Sequence, residues 1–228
     1  MVMDVVKQYI GSIPGVRRFY KLTIGDYIER KKRVAIQNRG LAVIELVQSI
    51  LLSVNVKSFA DFGTLLGIIR EGRLLSHDLD IDIGVILEEY FDIHCIRQIM
   101  ENNGFKLWRQ YVYEGNIVEE SYKFRGLKVD LGYYRISESK SNTWLFYTKP
   151  GFRYKKRNEM HIVEMTYSPI NELKIININN VKIVVPLNAE QILFEKYGEN
   201  WRIPDTGWIY WQSPAAKQLD KLGGFITY

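Results

Sequence analysis

Apolar residues recur at helical spacing from about Tyr27 to Val54, with Val34, Leu41, Ile44, Val47 and Leu51 on one stripe and Lys31, Lys32 and Arg33 in the first turns. That period predicts a long helix, because residues three and four apart share a helix face. The pattern then changes. In "DFGTLLGIIREGRLLSHDLDIDIGV", residues 61–85, a turn rich in small residues precedes Asp78, Asp80 and Asp82, each followed by an aliphatic residue: Leu79, Ile81 and Ile83. A period of two predicts a strand with the aspartates on one face and the aliphatic residues in the core. A second helical pattern runs from about Phe91 to Asn102 and closes on "NNG" at 102–104, which supplies a left-handed cap.

The runs "FKLWRQYVY", "ESYKFRG" and "LKVDLGYYRI" between 105 and 136 alternate and are separated by Gly115 and Gly126, which predicts hairpin-connected strands. "SESKSNT" at 137–143 reads as a loop and His161 to Thr166 as a strand. "LKIININNVKIVV" reads as a hairpin turning at Asn179-Asn180, where positive φ is tolerated. After Pro186 a helix is expected from about Ala189 to Tyr197. The irregular, aromatic segment "YGENWRIPDTGWIYWQSP" follows and is ordered only if it packs on something. The sum is an α/β (α+β mixed) chain: one catalytic-sized domain over 27–228, preceded by an N-terminal arm over 1–26. Apolar residues, a Gly/Pro break and Arg17, Arg18 and Lys21 give that arm a composition that suits a helix packed on its own domain, with a membrane-interface segment as the alternative.

At 228 residues, 46% apolar and 25% charged, the chain has the composition of a soluble globular domain, and global disorder is excluded. The single cysteine, Cys95, rules out an intramolecular disulfide and a thiolate zinc cluster, and is expected to be a small buried apolar residue. No secretory signal is apparent at the N-terminus. The most apolar segment, "LAVIELVQSILLSVNV", is interrupted by Glu45 and Gln48 and reads as a core helix. A cytoplasmic protein is expected, membrane-associated if the arm lies at an interface. The net charge of +5 favours anionic partners without choosing between phosphates, lipid headgroups and nucleic acid.

The aspartates bring in chemistry. Three carboxylates on one strand face repel one another unless solvent, cationic side chains or metal ions neutralise them. Hard carboxylate oxygens suit Mg²⁺ or Mn²⁺, and magnesium is normally held by one or two carboxylates together with substrate phosphates. Upstream, Gly63-Thr64 and Gly67 allow close backbone approach, amides at a helix start bind phosphate, and Arg70 and Arg73 add positive charge. Asp130, in "KVDLGYY", is placed to complete the site from a neighbouring strand. A phosphate cradle beside carboxylates is what metal-dependent phosphoryl transfer needs, since catalysis there rests on positioning and charge neutralisation.

The order "GTLLG…R…D-x-D-I-D" resembles the LicD/fukutin family, and the resemblance extends over about residues 34–205 through the leading helix, "DFGTLLGIIREG", "DLDIDIG" and a tail with Pro186, Tyr197-Gly198, Trp201 and Pro204. It implies a nucleotidyltransferase-like mixed β-sheet flanked by helices, and transfer of a substituted phosphate (phosphocholine, ribitol phosphate or glycerol phosphate) from a CDP-linked donor to a sugar or glycan acceptor, free or lipid-linked. It also implies surface-polysaccharide synthesis, with no nucleic-acid partner. By the same resemblance Gly63 and Thr64 match the turn that contacts donor phosphate, Asp80 and Asp82 the metal pair, and Asp130 the third carboxylate. Arg70, Asp78, Tyr197 and Trp201 join them as substrate-binding candidates. The family commonly reads Trp-Asp-Asp-Asp-Ile-Asp where this chain has His77-Asp78-Leu79-Asp80-Ile81-Asp82, so an aromatic and one acid are missing.

Two other functions share the residues. A nucleotidyltransferase that adds a nucleotide to a sugar or other small acceptor would use the same turn and acids. A non-catalytic calcium- or nucleotide-binding module is the third reading, since Asp78, Asp80, Asp82 and Glu89 fall at the first, third, fifth and twelfth places of an EF-hand loop, although Ile83 stands where that loop needs glycine. His77, His94 and His161 lack metal-ligand spacing. Tyr133, Tyr134, Trp208 and Trp211 read as core or rim aromatics. Lys155, Lys156 and Arg157 read as a solvated loop, and Arg70 stands between a salt bridge and a phosphate contact.

Overall fold

The computed structural model of the protein describes residues 25–88, 91–147, 159–205 and 207–228. The chain runs α1 (Asp26–Ser53), β1 (Ser58–Ala60), α2 (Phe62–Glu71), β2 (Ile81–Leu87), α3 (Ile93–Asn102), β3 (Lys106–Tyr113), β4 (Asn116–Phe124), β5 (Leu127–Ile136), β6 (Ser141–Tyr147), β7 (Met160–Tyr167), β8 (Leu173–Ile178), β9 (Val181–Pro186), α4 (Ala189–Tyr197) and β10 (Ala216–Thr227). Residues 1–24 of the N-terminal arm, Glu89, and Lys155, Lys156 and Arg157 lie outside the described residues. Among the described residues, no helix is long and apolar enough to cross a membrane.

The main sheet has the order β1-β2-β5-β4-β3-β10-β7-β6, with a single parallel pair, β2 and β5. β6 also returns to β5 through Arg135↔Asn142 and Ile136↔Ser141, so the six strands from β5 round to β6 close into a barrel-like ring. The mixed α+β composition was expected; the closure was not. Two local features account for it. The expected loop at 137–143 is a tight turn, with the Ser137 amide donating to the Lys140 carbonyl at 2.8 Å, and β6 already begins at Ser141. β10, for which the sequence offered no clean alternation, fits between β3 and β7 with a register shift at Leu219/Leu222.

α1 packs across β1, β2 and β9, and buries Ile36, Ile44, Val47 and Leu51 against Ile81, Ile83 and Val85 of β2 and Val129 and Leu131 of β5. Each such side chain contributes roughly 1.5–3 kcal/mol by leaving water. Val34, expected on this stripe, is 52% exposed, because the first turns of α1 project beyond the sheet. Glu45 and Gln48, which break the apolar run, serve the edge of β9. The Gln48 side-chain amide exchanges two hydrogen bonds with the backbone of Val184, at 2.9 and 2.8 Å, and Glu45 accepts from the Lys182 amide at 2.9 Å. They satisfy strand groups that would otherwise lack partners.

The hairpin of β8 and β9 turns at Asn179 and Asn180, both at positive φ (51° and 66°), as the sequence suggested. Cys95 is exposed rather than buried, because α3 turns Ile96 and Met100 inward and leaves Cys95 on its outer face. In β2, Gly84 is required by packing: a Cβ there would sit 2.3 Å from the Phe59 ring of β1.

Candidate active site

The strand expected to carry three aspartates begins only at Ile81, so Asp82 alone is part of β2, while Asp78 and Asp80 lie in the segment leading into it. Leu79 is accordingly half-buried instead of being a core residue, whereas Ile81 and Ile83 are fully buried. The parallel pairing of β2 with β5 sets Asp82 directly beside Asp130. β4, antiparallel on the other side of β5, adds Glu119 opposite Gly132 and Ser121 opposite Asp130. Because directly opposed residues share a face, Asp82, Asp130 and Glu119 project from one side of three adjacent strands.

They line a cleft of about 1280 Å³. Its walls carry seven carboxylates, those of Asp61, Asp78, Asp80, Asp82, Glu119, Asp130 and Asp205, against the cations Arg70 and Lys128. Lys128, two residues before Asp130 on the same strand face, places its ammonium 3.1 Å from Asp80 Oδ2 and 2.5 Å from Asp130 Oδ2. Although burial works against its charge, Asp130 and Asp80 hold the ammonium above the usual lysine range. The crowded acids respond in the opposite sense. Burial, reinforced by Asp80 and Asp130, pushes Asp82 well above the carboxylate range. Burial and the Asp130 charge lift Glu119 to about 8, and burial with Asp80 and Glu71 lifts Asp78 to about 7.

One wall is built on α2. Asp61 caps this helix by accepting the Phe62 amide at 2.8 Å, and its own amide donates to the Asp82 carbonyl at 3.0 Å. The Thr64 hydroxyl accepts the Asp82 amide at 2.9 Å. Thr64 is buried, so of the pair Gly63-Thr64 it is Gly63 that lines the cleft. A Cβ on Gly63 would meet Asp78 Oδ1 at 3.3 Å. Gly67 does not admit a ligand: its open side is filled by the Arg73 carbonyl and the Leu75 amide, 2.7 and 2.8 Å from where a Cβ would stand. Arg70 lines the cleft and is paired within the chain, with Nη2 2.9 Å from Glu71 Oε1 and Nη1 donating to the Trp201 carbonyl at 3.4 Å.

Beneath α2 lies an ion pair that the sequence pattern does not reveal. Lys196 of α4, fully buried, binds Asp61 Oδ1 and donates to the Tyr134 hydroxyl at 3.0 Å, while that hydroxyl donates to Asp61 Oδ2 at 2.5 Å. The opposite wall is the tail. Tyr197, Trp201, Trp208 and Tyr210 all line the cleft, and the Tyr197 and Trp208 rings are 4.4 Å apart. Tyr133 and Tyr134 are core residues, as expected, whereas Trp211 stacks on Tyr147. His77 lies at the cleft edge, His94 is exposed and His161 packs against Tyr147.

Glu119, Lys128, Asp61 and Lys196 were not singled out from sequence. Lys128-x-Asp130 on an alternating strand was the available signal, since that spacing sets a cation beside an acid. Glu119 is recognisable only once β4 is known to pair with β5.

The profile of the LicD/FKTN/FKRP nucleotidyltransferase domain matches residues 55–188. The chain belongs to the LicD family. The match contains Asp61, Gly63, Asp78, Asp80, Asp82, Glu119, Lys128 and Asp130, and ends before α4 and the aromatic tail. Among solved structures, this LicD-family chain is similar to an antigenic nucleotidyltransferase-like protein from Paracoccidioides brasiliensis, at 17% identity and a TM-score of 0.38, over 68% of this chain and 63% of that one. The chain thus spans less than two thirds of that protein's length. No curated protein matches it in sequence.

The acids of the cleft offer the donor type that a hard divalent cation takes. The donor atoms are carboxylate oxygens, and Asp130 Oδ1 and Asp78 Oδ2 are buried without a well-formed hydrogen bond. Among the described residues, no three acidic, histidine or cysteine side chains are close enough to enclose an ion as they stand. Between Asp80 and Asp130 the intervening group is the Lys128 ammonium.

Proposed function

We propose that this LicD-family chain transfers a substituted phosphate, such as phosphocholine, ribitol phosphate or glycerol phosphate, from a CDP-linked donor to a sugar hydroxyl in a glycan, with Mg²⁺ or Mn²⁺ as cofactor. The observation that carries this reading is the crowding of acids in the cleft: Asp78, Asp80, Asp82, Glu119 and Asp130 stand together while Asp61 is already paired with Lys196, and a divalent cation is what would neutralise that group and admit an anionic diphosphate. A bound divalent ion would neutralise the diphosphate and the leaving nucleotide.

The chain's own residues do the rest. Asp80 and Asp82 would hold the ion, with Asp130 completing the site from β5. The first turn of α2, where Gly63 lines the cleft, offers helix N-terminal amides to donor phosphate, and Arg70 adds charge from the end of the same helix. Tyr197 and Trp201 wall the cleft and limit water access. The acceptor oxygen forms a bond to the transferred phosphorus as the phosphoanhydride bond breaks, CMP departs, and the acceptor proton passes to Asp130 or Asp78.

The test is incubation of the full chain with Mg²⁺ and CDP-choline, CDP-ribitol or CDP-glycerol, together with a panel of glycan acceptors. Release of CMP with a phosphodiester product is expected for one donor. Pyrophosphate released in a parallel incubation with a nucleoside triphosphate would establish nucleotide addition instead, and activity unaffected by EDTA would remove the metal from the mechanism.

A further inference from the structure

Lys128 is the one cation among the described residues whose ammonium lies within ion-pair distance of the acids on this sheet face. Lys123, directly opposite it on β4, is exposed and lies over the Trp108 ring at 4.3 Å. The Lys128 ammonium stands between Asp80, which leads into β2, and Asp130 on β5, and so bridges two of the three carboxylates assigned to the ion. A magnesium-sized ion needs oxygens at about 2.0–2.1 Å. The ammonium holds Asp80 Oδ2 and Asp130 Oδ2, and an ion ligated by those same oxygens would take its place. An ion drawing on both carboxylates therefore competes with the ammonium for two charge-assisted hydrogen bonds.

The cost depends on where the ammonium goes. With the ion alone, it is pushed into a cleft dense in carboxylates but loses its two best partners. With a diphosphate present, the displaced ammonium has an anion beside it in the same cleft. Building on the metal-dependent reading above, we propose that Lys128 is an internal counter-ion that weakens binding of a divalent ion alone and gives way when ion and donor diphosphate arrive together, coupling the two. Lys128 is thus a positioning residue for the ion and a phosphate contact once displaced. Coupling of this kind is reciprocal, so donor affinity must show it by the same factor.

The experiment is calorimetric titration of the EDTA-treated, dialysed full chain with Mn²⁺, and then of CDP with and without saturating Mn²⁺, for the parent, Lys128→Met and Lys128→Arg. Lys128→Met is expected to bind Mn²⁺ alone at least about tenfold more tightly than the parent, the weight of a charge-assisted hydrogen bond. Its CDP affinity should respond to Mn²⁺ by a correspondingly smaller factor. Lys128→Arg, which keeps a cation, should stay near the parent. A gain in affinity is not what a damaged fold would produce; should Lys128→Met fail to fold, Lys128→Gln serves in its place. Equal or weaker Mn²⁺ binding by the charge-removing variant overturns the role of Lys128 while leaving the metal reading standing. Absence of Mn²⁺ binding to every protein, with or without CDP, overturns both.

Discussion

In the proposed reaction Asp80, Asp82 and Asp130 would act as charges, and asparagine keeps their volume while removing that charge. Asp80→Asn and Asp82→Asn should each lower transfer by at least about 100-fold, the scale on which a preorganised electrostatic contact acts. The melting temperature of Asp82→Asn should be equal to or above that of the parent, since Asp82 is held among repelling acids at the expense of its charged form. Transfer assays paired with thermal denaturation check both halves; retained activity, or a collapse in melting temperature, contradicts them. These three residues were legible in the sequence because alternation with aliphatic neighbours and the spacing of a family motif marked them. Glu119 and Lys128 sit in equally plain strands and carry no such mark. Their significance arises only from the β2–β5 and β4–β5 registers, pairings that a linear pattern does not encode.

At the level of elements, the site depends on how α2 and α4 are tied together. The sequence announced α4 and its tail, but not that Lys196 would lie under α2, because a lysine in a helix reads as solvated until the packing is known. Phe62, the first residue of α2, has φ of 38°, a left-handed conformation that is costly for a bulky side chain. Asp61 accepts its amide and the Lys196 ammonium lies 3.6 Å from its ring centroid, so the buried pair holds the strained turn that presents Gly63 to the cleft. Breaking one partner leaves a buried charge uncompensated. Lys196→Met or Asp61→Asn alone should destabilise by about 3–5 kcal/mol, and the double variant by less than the sum of the two. Urea denaturation of the four proteins closes the cycle; additive losses would show that the pair is not coupled.

On the scale of the whole molecule, the carboxylate cleft opens between a barrel-like ring, a helix-bearing flank and an aromatic tail that lies beyond the family match. The ring escaped the sequence because its closing strand, "AKQLDKLGGFIT", carries three charges, Lys217, Asp220 and Lys221, and the pair Gly223-Gly224. Gly223 is buried, and a Cβ on it would meet the Phe146 ring at 2.6 Å, so β10 is shaped by its place in the ring more than by strand propensity. A chain ending at Pro214 should leave β3 and β7 with facing unpaired edges, and is expected to aggregate. Size-exclusion chromatography of that truncation against the full chain would show it, and a well-behaved monomer would refute it.

The position of β10 also sets an order of events. Its pairing with β3 joins Gly224 to Val112, and its pairing with β7 joins Lys217 to Glu164, so it is sandwiched between strands made long before it. During synthesis those two strands must wait with edges open until residue 227 has cleared the ribosome. Closure of the ring is therefore a late, long-range step that makes folding slow, and the interval before it is when the nascent chain most needs a chaperone.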